Sequence, residues 1–162
     1  MPGSIGDYFL KLDGIAGEST DAKHKDEIEL VSFSWGVTES AAQGSGGGGG
    51  AGKAQFKEFE FLMPVNKASA AVFLAVAGGK HLKEATLSVR RSSKAAFDWL
   101  KIKFTDVLIT SYEQVGDDQE APHELVAFDF ARVELQVTPQ TGRGAPGAPV
   151  TAGWDLKKNV KI

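Results

Sequence analysis

Two stretches of this sequence, Asp98 to Val115 and His123 to Val137, alternate apolar and polar residues with a period of two and then change phase midway. In the first the apolar set is Leu100, Ile102 and Phe104, then Val107 and Ile109. In the second it is Val126, Phe128 and Phe130, then Val133, Leu135 and Val137. Successive strand residues point to opposite faces, so a slip of one buries the wrong set unless a bulge or bend turns the strand over. A strand bent in this way can belong to two sheets at once, as at the corners of barrels and sandwiches. The expected fold is therefore mainly β: a two-sheet β-barrel, closed or nearly so.

Other segments repeat the alternation. Tyr8, Leu10 and Leu12 form one apolar set, and Val31, Phe33, Trp35 and Val37 another. Phe59 and Phe61, Leu87 and Val89, and Trp154, Leu156, Val160 and Ile162 complete the pattern. All of these are read as core-facing. A single α-helix is expected over the alanine-rich run 68–77, with Asn66 as its N-cap and Gly78 and Gly79 as its stop. Val72, Phe73 and Val76 would share its buried side. Residues 43–52 and 139–149 read as loose connections, the first almost entirely glycine. No repeat or composition break divides the 162 residues, so residues 1–162 are expected to form one domain.

Composition narrows the function. The formal net charge of −3 supplies no basic field for nucleic acid, and the chain has no cysteine for a disulfide, thiolate nucleophile or thiolate metal site. The first seven residues lack the basic and apolar regions of a signal peptide, and the longest apolar stretch, 68–77, is too short to cross a bilayer. Synthesis in the cytoplasm is expected, with any export using a route that reads no N-terminal signal.

Several motifs suggest chemistry and then fail. Gly44, Gly46 and Gly49 have dinucleotide-loop spacing, but a strand rather than a helix is expected to follow. Gly47, Gly52 and Lys53 match a phosphate loop until Ala54, which stands where a hydroxyl must ligate magnesium. His24, His81 and His123 lie in separate connecting segments and read as surface residues, His24 within a solvated charge run. Glu58 and Glu60 read as a solvated strand face, and Asp117, Asp118 and Glu120 as a turn. Trp35 and Trp154 fit the inward phase, whereas Trp99 is out of phase and is expected to face a neighbouring subunit. No catalytic residue, cofactor or metal is expected.

The segment 8–19, YFLKLDGIAGES, together with Lys23 to Ile28 and Ser34-Trp35-Gly36, resembles the opening of the haemolysin-coregulated protein (Hcp) family. The glycine tract ending Ala51-Gly52-Lys53 is similar to that family's extended loop. Lys67, Leu74-Ala75 and Gly79-Lys80-His81 look like its helix and exit, and Gly153-Trp154 and Asn159-Val160 like its closing strand. The resemblance implies a structural, non-enzymatic tube subunit of a type VI secretion system. Six copies would form a ring, and rings would stack into a tube that carries effector proteins. Its partners would be itself, the sheath, the spike and effectors, without nucleic acid or membrane insertion.

Two groups of site residues follow. Ser32 and Ser34, opposite in pleat to the apolar set, are expected to line the lumen and touch cargo. Gly44, Gly46, Gly47, Gly48, Gly49, Gly50 and Gly52 are expected to form ring-stacking contacts, because so much glycine stabilises no core. The alternative is a free-standing β-sandwich that binds carbohydrate or protein, a monomer with an exposed aromatic platform.

Overall fold

The structure is a computed structural model and describes residues 6–40, 53–91 and 97–162. Among the described residues, eleven strands and one helix follow one another. They are β1 (Asp7–Leu12), β2 (Ile28–Glu29), β3 (Ser32–Ser34), β4 (Val37–Glu39), β5 (Ala54–Phe56), β6 (Phe59–Pro64), α1 (Ser69–Gly78), β7 (His81–Arg90), β8 (Asp98–Val115), β9 (His123–Val137), β10 (Val150–Asp155) and β11 (Val160–Lys161). The two long strands have the limits that the alternation predicts.

Nine strands form one antiparallel sheet in the order β11-β10-β9-β8-β7-β1-β2, with β6 on β9 and β3 on β6. The upper half of β9 pairs β6 and its lower half pairs β10, while β8 runs beside both. The change of phase is shared by three neighbours. Leu82, Val107 and Phe130 are in register on one side of it, and Ala85, Phe104 and Val133 on the other. Asp106 lies at the fold line with φ +57°. Because the strands turn over together, their pairing stays in register there, and the one bulge of the β8–β9 ladder falls later, between Ile109 and Ser111.

The sheet therefore folds on itself, and residues 28–34 link its two ends. The Leu30 N–H donates to the Tyr8 carbonyl (3.0 Å) and the Val31 N–H to the Leu62 carbonyl (2.8 Å). The mainly β fold with one helix is as expected, and there are two sheets among the described residues, of nine and two strands, but the strand ladder does not continue round, so they are not closed into a barrel. β4 and β5 lie off the large sheet as a separate two-stranded arm. Inside, Phe59, Phe61, Phe104 and Phe128 pack ring against ring, with centroids 4.9 to 6.3 Å apart. Leu10, Leu12, Leu87, Ile102 and Val126 surround them. Burying aromatic side chains of this size is the main stabilising contribution.

Not every residue of the apolar sets is buried. Val31 is 49% exposed because it sits where the chain crosses between β2 and β3, and Val37 is exposed because it belongs to the arm. Val160 and Ile162 are exposed at the end of the sheet. Phe33, Trp35, Trp154 and Leu156 are partly buried against the core. Trp99, expected to face another subunit, packs against the core of its own, with the Arg91 guanidinium 5.1 Å above its ring. Residues 139–149 are also more regular than the glycine and proline content suggests. The Thr141 N–H donates to Ala145 O (2.8 Å), and Gly144 supplies a φ of +79° to the turn.

The helix begins at Ser69, with the Asn66 side chain accepting the Ala68 N–H (2.8 Å) just ahead of it. Gly79, at φ +63°, ends it as expected, and the Lys80 N–H donates to the Ala75 carbonyl. Val72 and Ala75 are buried, but Phe73 is 53% exposed and only edges against Tyr112. The sheet is reached by the side chains at 72 and 75, and 73 lies a further 100° round the helix. Beneath the helix the carboxylate of Glu124 is fully buried. It accepts from the Ser69 and Tyr112 hydroxyls and from Gln114 Nε2 (2.9 Å).

His24, expected in a solvated run, is 5% exposed. It stacks on Phe9 with ring centroids 4.5 Å apart, and Arg90 covers the same Phe9 ring at 5.1 Å. Phe9 lies on the opposite side of β1 from Leu10, so the loop over residues 16–27 folds back and buries it.

Candidate functional site

Ser32 and Ser34 are both exposed on β3, on the side of the sheet away from the core. Register builds their surroundings, because residues paired across an antiparallel ladder share a face. Ser34 is opposite Glu60, which is opposite Ala127, which is opposite Ser111. Ser32 is opposite Leu62, then Leu125, then Glu113. Two rows thus run across β3, β6, β9 and β8. A third row joins Asp129, Leu108 and His81. Glu58, just before β6, accepts from the Thr110 hydroxyl at the bulge.

The arm is the second candidate. Val37 pairs with Phe56, Thr38 with Gln55 and Glu39 with Ala54. The glycine tract is the connection between these two strands. Gly44, Gly46, Gly47, Gly48, Gly49, Gly50 and Gly52 themselves lie outside the described residues. The arm shares a groove of about 560 Å³ with the sheet, lined by Trp35, Phe56, Leu135 and Trp154. The indole N–H of Trp154 has no hydrogen-bond partner among the described residues. These two tryptophans line a groove between arm and sheet and do not form a flat aromatic platform.

Several other ionisable residues have structural partners. His24 Nδ1 bonds Glu27 and Nε2 bonds Asp98, each at 2.9 Å. Asp21 is held down to about 2 by its hydrogen bond from Arg90, whose guanidinium is 2.8 Å away. Asp106 is also lowered, first by Lys157 and then by His81. Asp117 is lowered by accepting the N–H groups of Gln119 and Glu120, so this acidic stretch is a turn, as expected. Among the described residues no three His, Asp or Glu side chains converge as a metal site.

Residues 9–137 match the family model described as type VI secretion system effector, Hcp. The chain belongs to the Hcp family. A relative, protein hcp1 of Pseudomonas aeruginosa, is 34% identical over 158 residues, which are 96% of this chain and 98% of that one. The solved structure of a type six secretion system protein superposes with a TM-score of 0.91 at 30% identity, covering 97% of this chain and 99% of the other. Hcp1 from Salmonella typhimurium superposes with a TM-score of 0.83 at 32% identity, covering 98% and 100%. The resemblance carried by the opening segment and the closing strand is thereby established for nearly the whole chain. Hcp proteins are type VI secretion tube proteins, a structural and secreted family.

Within this Hcp fold, sequence reasoning missed the cluster of buried Phe9 and His24 with half-buried Asp98 and Arg90. One signal was available: Phe9 is a large apolar residue on the wrong phase of β1, which calls for a cover on the far side.

Proposed function

We propose that this Hcp chain is the structural subunit of a type VI inner tube, acting by assembly and not by catalysis. Six copies form a ring, rings stack, and effectors travel with the tube. The observation that carries this reading is the open sheet. Its ends present short strands with exposed apolar residues, Val31 beside β2 and β3 and Val150, Val160 and Ile162 on and beside β10 and β11. An unpaired strand edge with apolar neighbours favours pairing with another chain, and two different edges on one subunit make a head-to-tail contact that can close into a ring.

In this assembly the face bearing Ser32 and Ser34 lines the lumen. The glycine tract, Gly44 to Gly50 with Gly52, reaches from the end of the arm to the next ring. Sheath and spike components contact the tube, and the subunit is made in the cytoplasm and leaves through the apparatus without a cleaved signal. Neither nucleic acid nor membrane insertion takes part. No helix among the described residues is long and apolar enough to cross a membrane. Light scattering and electron microscopy of purified protein test the proposal. A particle of six times the 17.2 kDa chain mass, ring-shaped in projection, is expected. A 17.2 kDa species alone at micromolar concentration would sink it.

A further inference from the structure

Helix α1 and the C-terminal half of β8 bound an open pocket of about 650 Å³, within the size range of small-molecule sites. Phe73, Val76 and Ala77 of the helix form its apolar wall, and Ser69, Tyr112 and Gln114 form its floor. No charged residue lines it. Lys67 and Lys80 flank the helix in sequence but stand outside the pocket.

The floor is oriented from below. The fully buried Glu124 carboxylate accepts from the Ser69 and Tyr112 hydroxyls and from the Gln114 amide nitrogen. The same nitrogen also donates to the Tyr112 oxygen (2.9 Å). A hydroxyl carries one proton and an amide nitrogen two, so the floor's side-chain donors are all committed inward. What a ligand meets is lone pairs, on the Gln114 amide oxygen and the Tyr112 hydroxyl. A floor of acceptors selects a ligand that donates.

The sign of that ligand's charge follows from the same carboxylate. Glu124 makes no salt bridge among the described residues. A buried charge acts over a longer range than an exposed one, because little water screens it. Ser69 opens α1, so the helix N-terminus offsets part of this charge, but it supplies no cation. At the wall, the Phe73 and Tyr112 ring centroids stand 6.2 Å apart with their planes at 56°. This corner offers a cation two aromatic rings, and ring faces attract cations.

We propose that this pocket binds an organic ammonium ion, free or at the end of a lysine side chain. Its N–H groups donate to the floor, and its charge lies in the field of Glu124 beside the two rings. Its alkyl stem packs on Phe73, Val76 and Ala77. The site is built within one subunit and is independent of the ring, the serine face and the glycine tract.

The test is saturation-transfer NMR on the full chain with n-butylammonium, n-butanol and pentanoate, which share a butyl stem. The ammonium should bind and the other two should not, and added salt should weaken it. Phe73→Leu keeps an apolar residue at an exposed position but loses the ring, and should weaken binding about fivefold. Glu124→Gln removes the buried charge and should also weaken it. Leu74→Ala, on the same helix but outside the pocket, should leave binding at the parent level. Phe73 lies at the surface, so its variant decides the matter even where Glu124→Gln fails to fold. Nα-acetyl-lysine methylamide separates the two sources. Tighter binding than n-butylammonium assigns the site to a lysine side chain, and equal binding assigns it to a free amine. Equal binding of the three butyl compounds, no binding of the ammonium, or parent-level binding in Phe73→Leu would overturn the proposal.

Discussion

His24 Nε2 lies 2.9 Å from Asp98 Oδ1, joining a loop near the start of the chain to the first residue of β8 across 74 positions. With the second bond to Glu27 and the Phe9 stack, this one side chain fastens residues 16–27 to the sheet. His24→Ala leaves two carboxylates without their donor and should cost about 2–3 kcal/mol, a fall of roughly 5–10 °C in Tm. His24→Phe keeps the stack but not the donors and should remain close to the alanine variant. Thermal melts separate the cases: recovery to the parent value in His24→Phe would show that stacking alone holds the loop.

The Asp21–Arg90 pair predicts acid sensitivity in the same loop. Asp21 is depressed from its ordinary 3.8 to about 2, chiefly by the hydrogen bond from Arg90. A carboxylate lowered on folding stabilises the folded state above its unfolded value, and that contribution is lost as pH falls through the folded one. Loop docking should therefore hold near pH 5 and weaken between about pH 4 and pH 2. Amide exchange at Gly17, Ser19 and Asp26, whose N–H groups bond within the loop, would report it. Asp21→Asn should flatten this acid response, and an unchanged response would refute the assignment.

Glu124 predicts a stability effect at the helix. Its buried carboxylate collects Ser69, Tyr112 and Gln114, so Glu124→Ala strands three donors beneath α1. A loss of about 2–4 kcal/mol is expected in denaturant titrations. Tyr112→Phe removes only one donor and should cost about 1 kcal/mol. A fully stable Glu124→Ala protein would mean that the network contributes nothing net.

The glycine tract predicts the opposite kind of outcome. Deleting residues 46–50 shortens the connection between β4 and β5 without removing any described core contact. Melting temperature and ring formation should stay near the parent values, while tube assembly and secretion fall sharply. Electron microscopy and a secretion assay check this; a deletion variant that unfolds, or one that stacks and secretes normally, would count against a ring-stacking role.

What the sequence determined by itself was the set of local obligations. Alternation with a period of two required β8 and β9 to be strands, and their change of phase required a fold line, because the pleat admits no other way to keep Phe104 and Val107 on one side. The same pleat required Ser32 and Ser34 to face away from Phe33, and Gly79 required the helix to stop. Tertiary structure decided what those faces meet. Only register placed Glu60 beside Ser34, 26 positions away in the chain, and Glu113 in the row of Ser32, 81 positions away. Only folding buried His24, because its cover comes from Phe9, Arg90 and Asp98, none of them close in sequence. Closure was likewise beyond alternation. Period two fixes which side of a strand is wet, but whether the last strand reaches the first depends on accumulated twist and on the crossing at Leu30 and Val31. There the ladder breaks, the sheet stops short of a barrel, and its ends stay open to another chain.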